Sequence, residues 1–449
     1  MCAGGQRSGW HLCSGKSTQS NKPFRLWGMN ELIDDYARFI SDSPTSFHAA
    51  AIIAQRLEGA GYVQQDEGGA WAAHDRGFIV RGGAVIAWHV GNVTPETGFR
   101  IVGSHTDSPT FKVKPMPGSS AFGFGQVNVE VYGGPLLNSW LNRDLGIAGI
   151  LTDLDGEVHL VRTPAVMVIP QTAPHLDRSV NQKLELSKQA DYKPIWSIDE
   201  SNLLDYLADH AGIPADRVAG HDLFAYDVQE PAVFGGPDGA AFFAAGRQDN
   251  LSSVYSSLQA LLTLDSTDRE DIAIFVAFDH EEVGSSTYSG ADGPFLESTL
   301  RRICEGLNLE ASGYERFARM LAHSSCISAD AGHSVNPNNA SKHDPNHQPI
   351  LGGGPLLKLN ANQRYATEAE GSALWLRSAA QNGVVTQSFV SNNDVPCGST
   401  IGPFTASRLG IVTVDAGIPL LSMHSVREIS APADLEAMTQ ILEGYLAGA

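Results

Sequence analysis

Residues 272–286 read IAIFVAFDHEEVGSS. A wholly apolar run, rich in β-branched and aromatic side chains, gives way without a spacer to an Asp, a His and two adjacent glutamates, Glu281 and Glu282. An apolar run of this length reads as a strand buried on both faces, as in parallel sheets covered by helices. Ionisable groups cost little on a solvated surface. They are costly beside a buried sheet unless something compensates their charge. The stretch therefore points to an α/β fold and marks the end of one strand as a place where partners are needed.

Working outward, the same pattern recurs on both sides. In ELIDDYARFI, positions 32, 33, 36, 39 and 40 follow helical spacing, and Pro44 and Ser46 open a second helix, FHAAAIIAQRLEGAGY. AVIAWHV and FRIVGSHTD read as strands, LSSVYSSLQALLTL as a helix, and SSCISAD and IVTVDAG as further strands. The tail ADLEAMTQILEGYL is a helix with Leu435, Met438, Leu442 and Leu446 inward. Between these blocks FGQVNVEVYGG alternates strictly, with Val127, Val129 and Val131 on one face, and GEVHLVR and AVMVIP are strand candidates. The expected architecture is an α/β fold, a largely parallel sheet sandwiched by helices, with an inserted β-rich domain. Residues 29–109 and 246–449 form the discontinuous α/β domain and residues 110–245 the insert. Residues 1–28 carry Arg7, Lys16, Lys22 and Arg25 with no acid and are rich in Ser and Gly, which reads as an unstructured leader.

Bulk properties narrow the function. The chain has 449 residues, enough for one large core and a second domain. No apolar run approaches the roughly 20 residues of a membrane helix. A net charge of -20 argues against a nucleic-acid partner, which wants a basic face. The cysteines, Cys2, Cys13, Cys304, Cys326 and Cys397, are odd in number and contain no CxxC pair, so reduced thiols in a cytoplasmic protein fit better than a disulfide framework.

The acids and histidines are informative through their positions. His105 and Asp107 follow the strand RIVGS, Asp330 and His333 follow SSCIS, His424 follows IPLLSM, and Asp249 enters the helix at Leu251. In open α/β sheets ligands bind at the carboxyl ends of the strands. Histidine and carboxylate without thiolate suit zinc, manganese or cobalt in a catalytic site. Several such clusters at one edge suggest two cations, which need a bridging carboxylate, and Asp249 at a helix start is placed for that. A spare carboxylate beside them can act as general base. Each motif alone is weak: an isolated H-x-D or EE pair is more often a surface or core feature.

Together, GSHTDSPTFKVKP, GRQDNL, FDHEEVGSS, SADAGHSVNPN, NQRYA, NDVPCGSTIGP and SMHSVREI resemble the aspartyl aminopeptidases, in order from about Met29 to the C-terminus. The resemblance implies a di-zinc exopeptidase core that removes N-terminal residues, preferentially acidic ones, from peptides. It implies His105, Asp249, Glu282, Asp330 and His424 as ligands of two divalent ions. Asp249 bridges, His105 and Asp330 complete one site, and Glu282 and His424 the other. It implies Glu281 as general base and Asp107 as the carboxylate that orients His105. His333, Lys358 and Tyr365 fall at substrate positions, and His175 matches a histidine that reaches a neighbouring subunit's site. The insert then pairs subunits, and dimers assemble into a closed dodecameric shell. The leader has no counterpart in the family pattern, and residues 181–245 match it loosely. The competing readings are a same-fold di-metal aminopeptidase or deacylase of other specificity, and a non-catalytic shell or cargo-binding protein.

Overall fold

The computed structural model describes residues 29–448 apart from 72–74, 95, 200, 265–268 and 308–312. The leader, residues 1–28, lies outside them. The chain divides into two compact units, Pro109–Gln229 and a larger one formed by the flanking segments up to Ser108 and from Glu230.

In the larger unit, Ile272–Phe278 is buried at every position. It is the fourth strand of a nine-stranded sheet with the order 63–64, 76–81, 84–90, 272–278, 99–105, 325–329, 412–417, 356–359, 387–390. The strands 272–278, 99–105, 325–329 and 412–417 run parallel to one another. Antiparallel pairings flank this parallel centre, at 84–90 on one side and 356–359 on the other, so the sheet as a whole is mixed. The two-residue period of the strand divides its side chains between two cores. Ile272, Ile274, Val276 and Phe278 join the cluster that holds Phe295, Leu300 and Phe317. Ala273, Phe275 and Ala277 join the other, with Leu251, Leu258, Met438 and Leu442. Helices Phe295–Gly306 and Gly313–Ala322 thus cover one face, and Ser46–Gly59, Gln248–Leu262 and Pro432–Leu446 the other.

The smaller unit is a six-stranded antiparallel sheet with the order 158–162, 145–153, 218–227, 110–121, 124–132, 195–197. Phe122 and Gly123, both with positive φ (54° and 84°), make the tight turn between the strands 110–121 and 124–132. The segment AVMVIP forms only isolated bridges, at Met167, Val168 and Ile169. The expected insert ran on to residue 245. The segment Ala232–Phe234 pairs with Phe242–Ala245, however, which pairs with Glu428–Ser430 of the larger unit. That partner is remote in sequence, and the local alternation of a strand does not show which sheet it joins.

Candidate metal centre

The parallel strands deliver their carboxyl ends to one edge. His105 is the last residue of its strand, Asp330 directly follows Ala329, and Glu281 and Glu282 form a short 3-10 turn after Phe278. Asp249 and Asn250 have non-helical dihedrals at the mouth of the helix Gln248–Leu262. His424 sits in the left-handed region at φ 64°, as does His280 at 65°. Non-glycine residues held there carry strain, which collects at functional sites.

These side chains converge. His105 Nε2 lies 3.6 Å from Asp249 Oδ1, 3.7 Å from Asp330 Oδ2 and 3.8 Å from Glu281 Oε2. His424 Nε2 lies 3.2 Å from Asp249 Oδ2 and 3.5 Å from Glu282 Oε1. Asp249 thus presents one oxygen to each histidine. Ligand atoms bound at about 2.1 Å around a tetrahedral ion lie roughly 3.4 Å apart, so these spacings suit donors that face a common ion. Asp249 Oδ1 and Glu282 Oε1 are buried and make no hydrogen bond. Orphaned buried carboxylate oxygens are costly, and a cation removes the cost. One ligand atom each of His105, Asp249 and Glu282 lie within 4.8 Å of one another. The donor set therefore fits divalent ions.

The electrostatics agree. Burial pushes Glu281 up to about 8, with Asp330, Asp107 and Asp249 adding to the rise against His105. Burial also raises Glu282 and Asp330. Burial opposes charge on His424, but Asp249 and Glu282 hold it up at about 10. The protein's own cations do not balance the carboxylates crowded here, and this is the setting that added positive charge would relieve.

Asp107 differs in detail from the expected arrangement. The closer partner of His105 Nδ1 is the Asp107 main-chain carbonyl, at 3.0 Å, with its carboxylate oxygen at 3.4 Å. With Nδ1 donating to that carbonyl, the Nε2 lone pair faces the cluster. The Asp107 carboxylate accepts from the N–H groups of Glu281 and Glu282, each at 3.1 Å. It therefore fixes the EE turn as well as the histidine.

Lys358 is 2 % exposed, unusual for a lysine, and donates to Asp330 Oδ1 at 3.0 Å and to the Ala331 carbonyl at 2.6 Å. Its Nζ stands 5.3 Å from the ring centre of buried Tyr365. Tyr365 and His333 both pack edge-on to Phe389. His333 is exposed to solvent at this edge. His175 belongs to the smaller unit, exposed among turns between Val158–Arg162 and Ile195–Ser197. Sequence reasoning passed over Glu428 and Asn250, both buried and both hydrogen-bonded to the main chain of the cluster. For Glu428 the available signal was an acid four residues beyond His424. For Asn250 it was a polar residue where the helix pattern demanded burial.

Histidines and carboxylates gathered at the carboxyl edge of a parallel sheet define the class of divalent-metal hydrolases. The sequence profile of the family described as aminopeptidase I zinc metalloprotease (M18) matches residues 39–446. The chain belongs to this M18 family of zinc aminopeptidases. A probable M18 family aminopeptidase 2 from Streptomyces avermitilis is 46% identical over 425 residues, covering 92% of this chain and 97% of that protein. Among solved structures, the cryo-EM structure of the Ape4 and Nbr1 complex matches with a TM-score of 0.88 at 32% identity, covering 93% of this chain and 86% of that one. The S. cerevisiae mApe1 dodecamer matches with a TM-score of 0.80 at 28% identity, covering 92% and 96%. Among the described residues, no helix is long and apolar enough to cross a membrane.

Proposed function

We propose that this aminopeptidase removes N-terminal Asp or Glu from peptides, with Glu281 as general base. Two divalent ions, zinc first and manganese or cobalt as substitutes, are held by His105, Asp249, Glu282, Asp330 and His424. The observation that carries this reading is Asp249, whose two oxygens face two different histidines, with Glu281 Oε2 3.8 Å from one of them. Bound ions supply Lewis acidity, polarising the scissile carbonyl and making a water acidic enough to react near neutrality. The chain does the rest. The site carboxylates receive the substrate's free amine. Glu281, set by the Asp107 carboxylate through its own N–H, accepts a proton from the attacking water and delivers it to the leaving amine.

Acid preference needs a local cation, because the chain as a whole is strongly negative and its distant surface charge is screened. Lys358 is that cation. Asp330 and Ala331 take two of its three donors, which leaves one for a substrate carboxylate. His333 and Tyr365 line the same wall.

A same-fold aminopeptidase of other specificity is favoured by the same observation if Lys358 serves only to hold Asp330. The family's assembly into dodecamers, as in the mApe1 structure, extends to this chain, with the smaller unit pairing subunits and His175 reaching a neighbour's site. A cytoplasmic setting fits the free thiols of Cys304, Cys326 and Cys397. A panel of chromogenic substrates with N-terminal Asp, Glu, Leu and Lys, run with zinc, manganese and cobalt, tests the specificity. Asp and Glu substrates should turn over fastest. Equal or faster turnover of Leu substrate would assign the other specificity.

A further inference from the structure

Glu428 ties the candidate centre together from behind. It is 1 % exposed. Its Oε2 accepts from the main-chain N–H of Asp249 at 3.0 Å, and its Oε1 accepts from the N–H of His424 at 2.8 Å. One carboxylate therefore holds the backbones of two residues that are far apart in sequence and face each other across the site at 3.2 Å.

Glu428 is itself anchored. Its strand, Glu428–Ser430, pairs with Phe242–Ala245, which leads into Asp249. Its carbonyl accepts from Gln248 Nε2 at 2.8 Å, and Ser430 Oγ donates to Gln248 Oε1 at 2.6 Å. Asn250 makes a parallel clamp. Its Nδ2 donates to the Ala329 carbonyl at 2.8 Å and its Oδ1 accepts from the Ala331 N–H at 3.3 Å, bracketing Asp330.

Holding two N–H groups needs only a neutral acceptor. A carboxylate in this place adds a desolvation penalty and repulsion from Asp249. Two main-chain carbonyls would serve a purely architectural role at lower cost, whereas a side-chain amide would set a donor against one of the two N–H groups. His424 also occupies the left-handed region at φ 64°, and the bond to Glu428 grips its backbone there. Such cost and strain are tolerated where geometry matters for function.

We propose that Glu428 is a positioning residue of the centre: by gripping the N–H groups of Asp249 and His424 it sets the spacing of their side chains, and so the affinity for the divalent ion between them. The proposal rests on the reading of Asp249 and His424 as ligands. Both bonds end on main-chain N–H groups, so the grip acts on the two ligands through their backbones. The loss of one clamp partner should weaken zinc binding about 10- to 100-fold, the usual cost of losing a group that orients a ligand.

The test is zinc competition with a chromogenic chelator on the purified full chain, beside circular dichroism and turnover. Glu428→Gln keeps the volume but turns one acceptor into a donor that faces an N–H. It should stay folded, bind zinc about 10- to 100-fold more weakly, and lose kcat while KM moves little. Excess zinc should restore part of the turnover. Ser430→Ala removes a buried hydrogen bond from the same strand without touching the carboxylate, and should keep wild-type zinc affinity. Asp249→Asn reports on the ligand reading itself. Wild-type zinc affinity in Asp249→Asn would break that reading. Zinc loss there with unchanged affinity in folded Glu428→Gln would overturn only the present proposal. Equal weakening by Ser430→Ala, or failure of Glu428→Gln to fold even with zinc present, would also overturn it by making the role architectural.

Discussion

Two buried aspartates make an instructive pair. In the smaller unit, Asp227 is 7 % exposed and meets Arg143 Nη2 at 2.6 Å. In the larger unit, Asp249 is 4 % exposed, and its Oδ1 makes no hydrogen bond. The first acid has a permanently charged partner within its own unit. The second is met by histidines whose charge depends on protonation, and it is crowded by further carboxylates. A buried acid with a fixed guanidinium beside it is accounted for by structure alone. A buried acid met by imidazoles and crowded by other acids is a demand for an ion that these side chains do not supply.

That contrast can be broken most sharply at the two aspartates. Asp249→Asn should lower zinc affinity by more than the roughly 100-fold that loss of an outer partner costs, and take peptide turnover down with it. Metal competition and steady-state kinetics would show this, and retention of both would erase the distinction. Glu281→Gln separates holding an ion from using it. It should lower kcat about 10²- to 10⁴-fold with zinc content unchanged. Parallel loss of zinc would make Glu281 a ligand instead. Lys358→Ala should lower the Asp-to-Leu substrate ratio on the order of 10- to 100-fold, the worth of one charge-assisted hydrogen bond. An unchanged ratio would remove Lys358 as the selector.

On the other side of the comparison, Arg143→Ala should cost about 1–3 kcal/mol in urea unfolding of the smaller unit, because it leaves the buried Asp227 carboxylate with the Gln229 N–H and no cation on Oδ2. Zinc affinity should not move. The smallest effect concerns Asp434, a buried acid held by main-chain N–H groups. It accepts from the N–H groups of Gly352 and Gly354 at 2.7 and 2.9 Å, yet burial still raises it to about 6. Its folded-state value lies above its unfolded value of about 3.9. Its stabilising contribution is therefore full below about pH 4 and is lost as pH rises through about 6. The Tm difference between wild type and Asp434→Asn should change across that window by about 1–3 °C. A flat difference would show that the two glycine N–H groups compensate the charge completely.

Much of the fold was legible because it is local. IAIFVAF can only be a strand buried on both faces, and the heptad-like spacing of Leu435, Met438, Leu442 and Leu446 can only bury one side of a helix. All four are buried. The candidate cluster was legible for a related reason: strands of a parallel sheet present their carboxyl ends at one edge, so acids placed just beyond several strands must gather. The extent of the insert was less legible, since Phe242–Ala245 looks like any short strand until its partner Glu428–Ser430 is known.

The sequence by itself determined which residues could serve as donors, and the alternation of strand and helix placed them at a common edge. Only the tertiary structure decided that Asp249 turns one oxygen to His105 and the other to His424, and that Asp107 grips the EE turn by its carboxylate. It alone revealed the clamps made by Glu428 and Asn250. The reason is physical. Periodicity records which face of an element is buried, whereas a hydrogen bond between segments remote in the chain depends on ångström-scale placement that no local pattern encodes.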